Sequence, residues 1–296
     1  MRMRKRKTVS EIPFSRDMLP HSRKALWFDV VKLNYIPLIS LGLIMFAFSL
    51  PMFFNMLATD FYVAQLSASV SDMSSEQWMQ VQEQIALVRN TSALMDIPGL
   101  AVFAIGFAGQ MRVIRQYAWG EVVSVFYDFK TGIKQNIKQT VCVAVAAGVL
   151  RFLCIYLNNL AELNNNVTAY YASSAFTVVL FLFLIPVGAY MPVCISVYGN
   201  TFSQNFLQSF FLYIKAPAKS LLALLCSGGI LLFMLFPNMT VHVAVALLST
   251  IGGPFLLLGW FLFVYHQLDI YVNKEKHPEI VGKGIYTEYG EEQHDY

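Results

Sequence analysis

The chain has 296 residues, 56% of them hydrophobic and only 13% charged, with a mean hydropathy of +0.53. Soluble domains carry roughly 25% charged residues, so this composition excludes an ordinary soluble protein and requires a surface buried in lipid. The formal charge of +3 is small but unevenly spread, and no nucleic-acid partner is expected.

The N-terminal stretch Met1 to Lys7 is basic, yet no apolar run follows until about residue 35. A cleavable signal peptide places its apolar region directly after the charges, so residues 1–34 read instead as a basic arm on the cytoplasmic side. Crossing the hydrocarbon core takes about 20 apolar residues. Six segments supply them: 35–57, 97–118, 140–160, 172–197, 219–236 and 241–265. Pro237-Asn238 marks a tight turn between the last two. The transmembrane domain is therefore expected over 35–265, with a charged cytoplasmic tail over 266–296. Cys142, Cys154, Cys194 and Cys226 all lie in apolar segments without metal spacing and read as small buried hydrophobes.

Charge orients these spans. Of 21 Lys and Arg, nine precede the first span, five lie from Arg112 to Lys138, two are Lys215 and Lys219, and three follow the sixth span. Six spans put all of these on one side, so the positive-inside rule predicts both termini in the cytoplasm. The segment 58–96 is then an outer loop. Within it Ser74 and Gln77 have capping-box spacing, and Trp78, Val81, Ile85 and Val88 share a helical face. That pattern predicts either an amphipathic helix lying on the outer membrane surface or a docking site for an extracytoplasmic partner.

An offset of 81 residues lays the second and third spans on the fourth and fifth, aligning Tyr117 with Tyr198, Phe129 with Phe210, Ile133 with Ile214, Lys134 with Lys215, and Lys138 with Lys219. The expected fold class is all-α, a polytopic membrane protein of about six helices arranged as repeated hairpins, with cytoplasmic amphipathic elbow helices over 119–139 and 198–219. In the first elbow Val122, Val125, Phe126, Phe129 and Ile133 form one stripe and Lys130, Lys134 and Lys138 another. This describes a helix in the inner interface whose lysines face anionic headgroups, or a contact for a cytoplasmic partner. Residues 27–34 form a weaker third elbow.

Three spans have soft centres: Gly106 and Gly109 in the second, Pro186, Gly188 and Pro192 in the fourth, and Gly252, Gly253 and Pro254 in the sixth. Proline removes a backbone donor and kinks a helix. Such breaks either serve close helix packing or line a solute path. Arg151 is the one charge near the middle of a span. With no acid close in sequence or at mid-depth elsewhere, it is a candidate functional charge or a cap on freed carbonyls.

The segment Gly120 to Gln139, together with Arg115, Leu33-Asn34 and Phe48 to Pro51, resembles the YesL-like family of bacterial integral membrane proteins. The resemblance covers most of residues 25–270, while the long N-terminal arm, the outer loop and the charged tail depart from it. It implies a small all-helical membrane protein with an accessory role beside ABC importers of oligosaccharides or host glycans. It brings no catalytic residues. Gly120, Glu121, Asp128, Phe129, Lys134, Asn136 and Lys138, with Lys215 and Lys219 in the second elbow, are thus nominated as a structural or interaction site.

Enzyme chemistry finds no footing. The sequence lacks G-x-x-x-x-G-K-[ST], H-E-x-x-H, G-x-S-x-G and a G-x-G-D protease motif. No coupling-helix loop of an ABC permease occurs, and the five histidines never pair at ligand spacing. No cofactor or metal is expected. The predicted function is a non-catalytic ABC-importer accessory component for carbohydrates, with membrane lipids, permease subunits, an extracytoplasmic binding protein or a second copy as partners. A self-contained small-solute channel or secondary transporter, and a membrane scaffold or sensor, are the alternatives.

Overall fold

A computed structural model describes residues 20–68, 75–236 and 238–286. The basic arm before residue 20, Ser74 of the expected capping box, Pro237 of the expected turn and the tail beyond residue 286 lie outside the described residues. All regular structure among the described residues is helical: α1 (Arg23–Ala68), α2 (Ser75–Ala118), α3 (Val125–Leu163), α4 (Val167–Val179), α5 (Ile185–Val197), α6 (Phe202–Lys215), α7 (Pro217–Gly228), α8 (Met239–Leu268) and α9 (Lys274–Lys276), with π turns at Leu180–Leu184 and Asp269–Asn273 and 3-10 turns at Gly229–Leu235 and Pro278–Ile280. Among the described residues, six helical stretches are long and apolar enough to cross a membrane. The chain is an all-α protein of multi-pass membrane type.

The helices outrun the expected spans. At 1.5 Å per residue, the 46 residues of α1 and 44 of α2 extend about 69 and 66 Å, more than twice a hydrocarbon core of about 30 Å. Of the described residues in the segment 58–96, residues 58–68 are the end of α1 and residues 75–96 the first half of α2, not a separate surface helix. The physical reason is local: from Gln77 to Met95 the sequence is rich in Gln, Glu, Leu, Ala and Met and has no glycine or proline to stop a helix. Val81, Ile85 and Ala93 are buried, whereas Trp78 stays 44% exposed. The Asn55 amide of α1 donates to the Ser92 carbonyl (2.9 Å) and Thr59 Oγ1 donates to Ser92 Oγ (2.6 Å), pinning the two helices together.

Helices α2 and α3 form an antiparallel hairpin in close contact along its length. A Cβ on Gly132 would stand 2.7 Å from Arg112 Cβ and 2.9 Å from the Ala108 carbonyl, and one on Gly109 would stand 2.8 Å from the Phe129 carbonyl. The segment expected as the first elbow is therefore divided. Residues 119–124 make the tight turn, and residues 125–139 are the opening turns of the long α3, not a separate helix. In the segment expected as the second elbow the chain does break, at Ala216 (φ −149, ψ 59) immediately before Pro217, which separates α6 from α7.

Proline explains the irregular backbone. In α1 the only non-helical residue is Asn34 (φ −126, ψ 27), one turn before Pro37. Pro186 cannot donate to the Leu182 carbonyl four residues back, and the chain relaxes there into the π turn Leu180–Leu184. The freed carbonyl accepts from the Tyr213 hydroxyl of α6. Pro254 likewise frees the Thr250 carbonyl, which packs directly against Gly42 of α1. A buried apolar cluster, built around Leu38, Leu41, Ile114, Tyr190, Leu258, Phe261 and Tyr265, joins α1, α2, α5 and α8.

Candidate functional site

Gly120, Glu121 and Asp128 gather with Gln116 and Arg112 in a polar knot at one end of the bundle. Gly120 closes α2 with φ +68, a left-handed conformation that favours glycine. Glu121 N–H donates back to the Gln116 carbonyl at 3.0 Å. Asp128, 5% exposed, then ties the turn to both helices. Its Oδ2 accepts from the Ser124 backbone N–H (2.8 Å) and its Oδ1 from the Gln116 amide (3.0 Å), with Arg112 Nε at 3.8 Å. Phe129 is buried against Gly109 and Phe48. Gly120, Asp128 and Phe129 are thus architectural, and Glu121 pairs at 3.8 Å with Lys283.

The other nominated residues face outward. Lys134, Lys138, Lys215 and Lys219 are exposed and Asn136 is half-buried. Lys215 lies 5.0 Å from the Phe211 ring. The expected apolar stripe splits between environments: Phe129 is buried, Val125 and Ile133 are half-buried, and Val122 and Phe126 are 98% and 77% exposed, with Tyr127 beside them 71% exposed.

A strap from the C-terminal side covers this end. Arg23 of α1 makes an ion pair with Asp269 (2.7 Å), donates to the Lys283 carbonyl (2.5 Å) and stacks 4.6 Å over the Tyr265 ring. Asn273 donates to Asp269 Oδ1 at 2.8 Å and accepts from the Tyr198 hydroxyl, and the Tyr265 hydroxyl donates to the Ile280 carbonyl at 2.6 Å. Gly284 (φ +83) lies against the Ala118 carbonyl, where any side chain would collide. Burial raises the pKa of the Tyr198 phenol, keeping it a neutral donor. Sequence reasoning missed Arg23, Asp269 and Asn273, which read as ordinary flanking polar residues because their partners come from opposite ends of the chain.

Arg151 is not the isolated charge that the sequence suggests. It pairs with Asp96, whose side chain is 7% exposed and whose other oxygen accepts from the Asn55 amide at 2.7 Å. Asp96 had been counted with the outer loop; because α2 is helical through that region, the carboxylate is carried inward to meet Arg151. The Arg151 side chain is itself 53% exposed and opens into a cleft of about 270 Å³ lined also by Thr59, Arg89, Ser92, Asn158 and Asn159. A second close polar contact lies nearby on another face, where the buried His242 of α8 sits between Asp60 (2.5 Å) and the Met234 carbonyl (3.0 Å).

The expected helix breaks divide by role. Pro186, Pro192 and Pro254 are buried, with neighbouring carbonyls engaged by protein: Leu182 by Tyr213, Ala189 by Trp260 Nε1, and Phe255 by Trp27 Nε1. Gly188, Gly252 and Gly253 meet nothing within 4 Å of a built Cβ, so they do not serve close packing, which falls instead at Gly42, Gly106, Gly109 and Gly132. Neither the Arg151 cleft nor a second, more apolar one between α3 and α4 is lined by any of these six residues. Among the described residues no three His, Cys, Asp or Glu side chains converge as metal ligands. No protein-family model, curated protein or solved structure matches the chain.

Proposed function

We propose that this protein is a non-catalytic accessory subunit of an ABC importer for carbohydrates, seated in a bacterial cytoplasmic membrane with both termini in the cytoplasm. The observation that carries the reading is the tip of the α2–α3 hairpin, where the resemblance to YesL-like proteins is concentrated. Its polar groups are spent internally, on Gly120, Asp128 and Gln116, so the turn is held in one shape. What it presents is Val122, Phe126 and Tyr127, highly exposed, with Lys130, Lys134 and Lys138 spaced one turn apart along α3. A fixed apolar tip beside a basic row is the profile of a surface covered by a membrane interface or another subunit. The permease is the partner that the family resemblance indicates.

The positive-inside distribution puts this tip and the strap in the cytoplasm. The opposite ends of α1 and α2 then project outward, where exposed Phe61, Tyr62 and Leu87 offer a surface to an extracytoplasmic binding protein. The repeated-hairpin reading draws support from Arg115, which donates to the carbonyl of Ser196, its own counterpart at the 81-residue offset, as residues beside a two-fold axis do. The repeat has diverged: the close glycine pair Gly109 and Gly132 corresponds to Tyr190 and Tyr213. A self-contained solute path draws less support, because the carbonyls freed at Pro186 and Pro254 are met by Tyr213 and Gly42 rather than left for solute.

Affinity purification of the full chain from mild detergent tests the proposal. Permease and ATPase subunits are expected to co-purify, and their recovery is expected to fall when Phe126 and Tyr127 are replaced by Ser. Purification with no transporter subunits overturns it.

A further inference from the structure

We infer that the cleft between α1, α2 and α3 around Arg151 is a binding site for a phosphate group. Two guanidiniums line it, Arg151 from α3 and Arg89 from α2. The one carboxylate beside them, Asp96, is already committed, one oxygen to Arg151 and the other to the Asn55 amide. The count of formal charges at the cleft is therefore two positive against one negative. Arg89 has no ion-pair or hydrogen-bond partner among the described residues, and Arg151 leaves about half its side chain open, 53% exposed. An arginine held from one side by a buried carboxylate presents its remaining N–H groups as a planar fork, the geometry that matches phosphate oxygens. Ser92 and Asn158 add polar groups at the wall. A phosphodiester carries one negative charge, which balances the excess.

Position argues for a source in the bilayer. From Arg151 to Asn159 the cleft spans eight residues of α3, about 12 Å at 1.5 Å per residue. Asn159 pairs with Asn90 (2.8 Å) near the end of α3 away from the strap, and Tyr156 is 41% exposed beside it, as aromatic side chains are at a membrane–water boundary. The cleft floor thus lies just below headgroup level, within reach of an extended arginine. Its volume of about 270 Å³ accommodates a phosphate with a small polar substituent. Lipid phosphate and free phosphate share this chemistry, and the experiment separates them.

Isothermal titration calorimetry of the purified full chain in a phosphate-free maltoside uses three probes: dioctanoylphosphatidylglycerol, dioctanoylglycerol and inorganic phosphate. Phosphatidylglycerol is expected to bind at least ten-fold more tightly than dioctanoylglycerol, and Arg89→Gln is expected to weaken it several-fold without changing the thermal unfolding midpoint. Arg151→Lys, which keeps the charge but loses the fork, is expected to weaken it too. Binding of inorganic phosphate with the same Arg89 dependence assigns the site to the free ion. Equal binding of the two lipids, no binding of either phosphate probe, or phosphatidylglycerol binding indifferent to Arg89→Gln overturns the inference. The isolated chain suffices for this test, so its failure is independent of whether a permease co-purifies.

Discussion

Replacing Asp96 with Ala removes the carboxylate that engages both Arg151 and Asn55. The Asn55 amide keeps its bond to the Ser92 carbonyl, so the main loss falls on Arg151. Breaking a fully buried ion pair by deleting one partner costs about 3–5 kcal/mol. Arg151 is 53% exposed, which lowers the expectation to about 2 kcal/mol once solvent screening is allowed for. At about 2–4 °C per kcal/mol for a chain of this size, the unfolding midpoint should fall by roughly 4–8 °C. Thermal unfolding in detergent, followed by tryptophan fluorescence, gives the measurement. The discriminating variant is the double replacement Asp96→Leu with Arg151→Leu. Removing both charges leaves nothing unpaired, so it should recover most of the loss and show a coupling of at least about 1 kcal/mol. If Asp96→Ala unfolds within about 1 °C of the wild type, or the double variant is no better than the single one, the pair does not hold α2 to α3 as described.

Three other outcomes are expected from the same assay. Gly42→Ala should cost about 1–3 kcal/mol, because the new methyl meets the Thr250 backbone carbonyl and only separation of α1 from α8 relieves it; an unchanged midpoint would contradict the contact. Tyr213→Phe should cost about 1–2 kcal/mol by stranding the Leu182 carbonyl freed by Pro186, and Tyr213→Ser should not restore it. Because burial raises the Tyr198 phenol pKa in the folded protein, the unfolded chain ionises first as pH passes about 10. Stability should be constant on this account below that pH and decline above it. Tyr198→Phe should flatten the alkaline decline while lowering stability at neutral pH, through loss of the bond to Asn273.

The membrane class and the number of apolar helices were legible because each depends on a run of neighbouring residues. Tertiary pairing was not. Arg151 and Asp96 lie 55 positions apart, and their meeting depends on the register of two helices whose full lengths were hidden by polar turns. The stretch from Gln77 to Met95 reads as outside the membrane because it is polar, yet polarity sets where a helix sits, not where it ends. Gly120 was readable as a turn residue, and Asp128 was nominated within the same segment. The function of Asp128 as a fastener for Ser124 and Gln116 needed the fold. Pro186 and Pro254 are readable as prolines inside apolar spans, but only the partner helices reveal that Tyr213 and Gly42 meet the carbonyls they free.

The contacts of Arg23 bear on how the molecule is made. This residue begins the first helix, and its three partners, Asp269, Tyr265 and Lys283, are synthesised after every spanning segment but the last has left the ribosome or while that one emerges. Until then the start of α1 has no acid to meet and the groove it shares with α8 stands open to lipid. The α1–α8 seam therefore closes only after α2 to α7 have been made, when α8 and its strap reach Arg23. Chains halted before residue 269 should remain open at that seam, a state in which quality-control proteases have their best access.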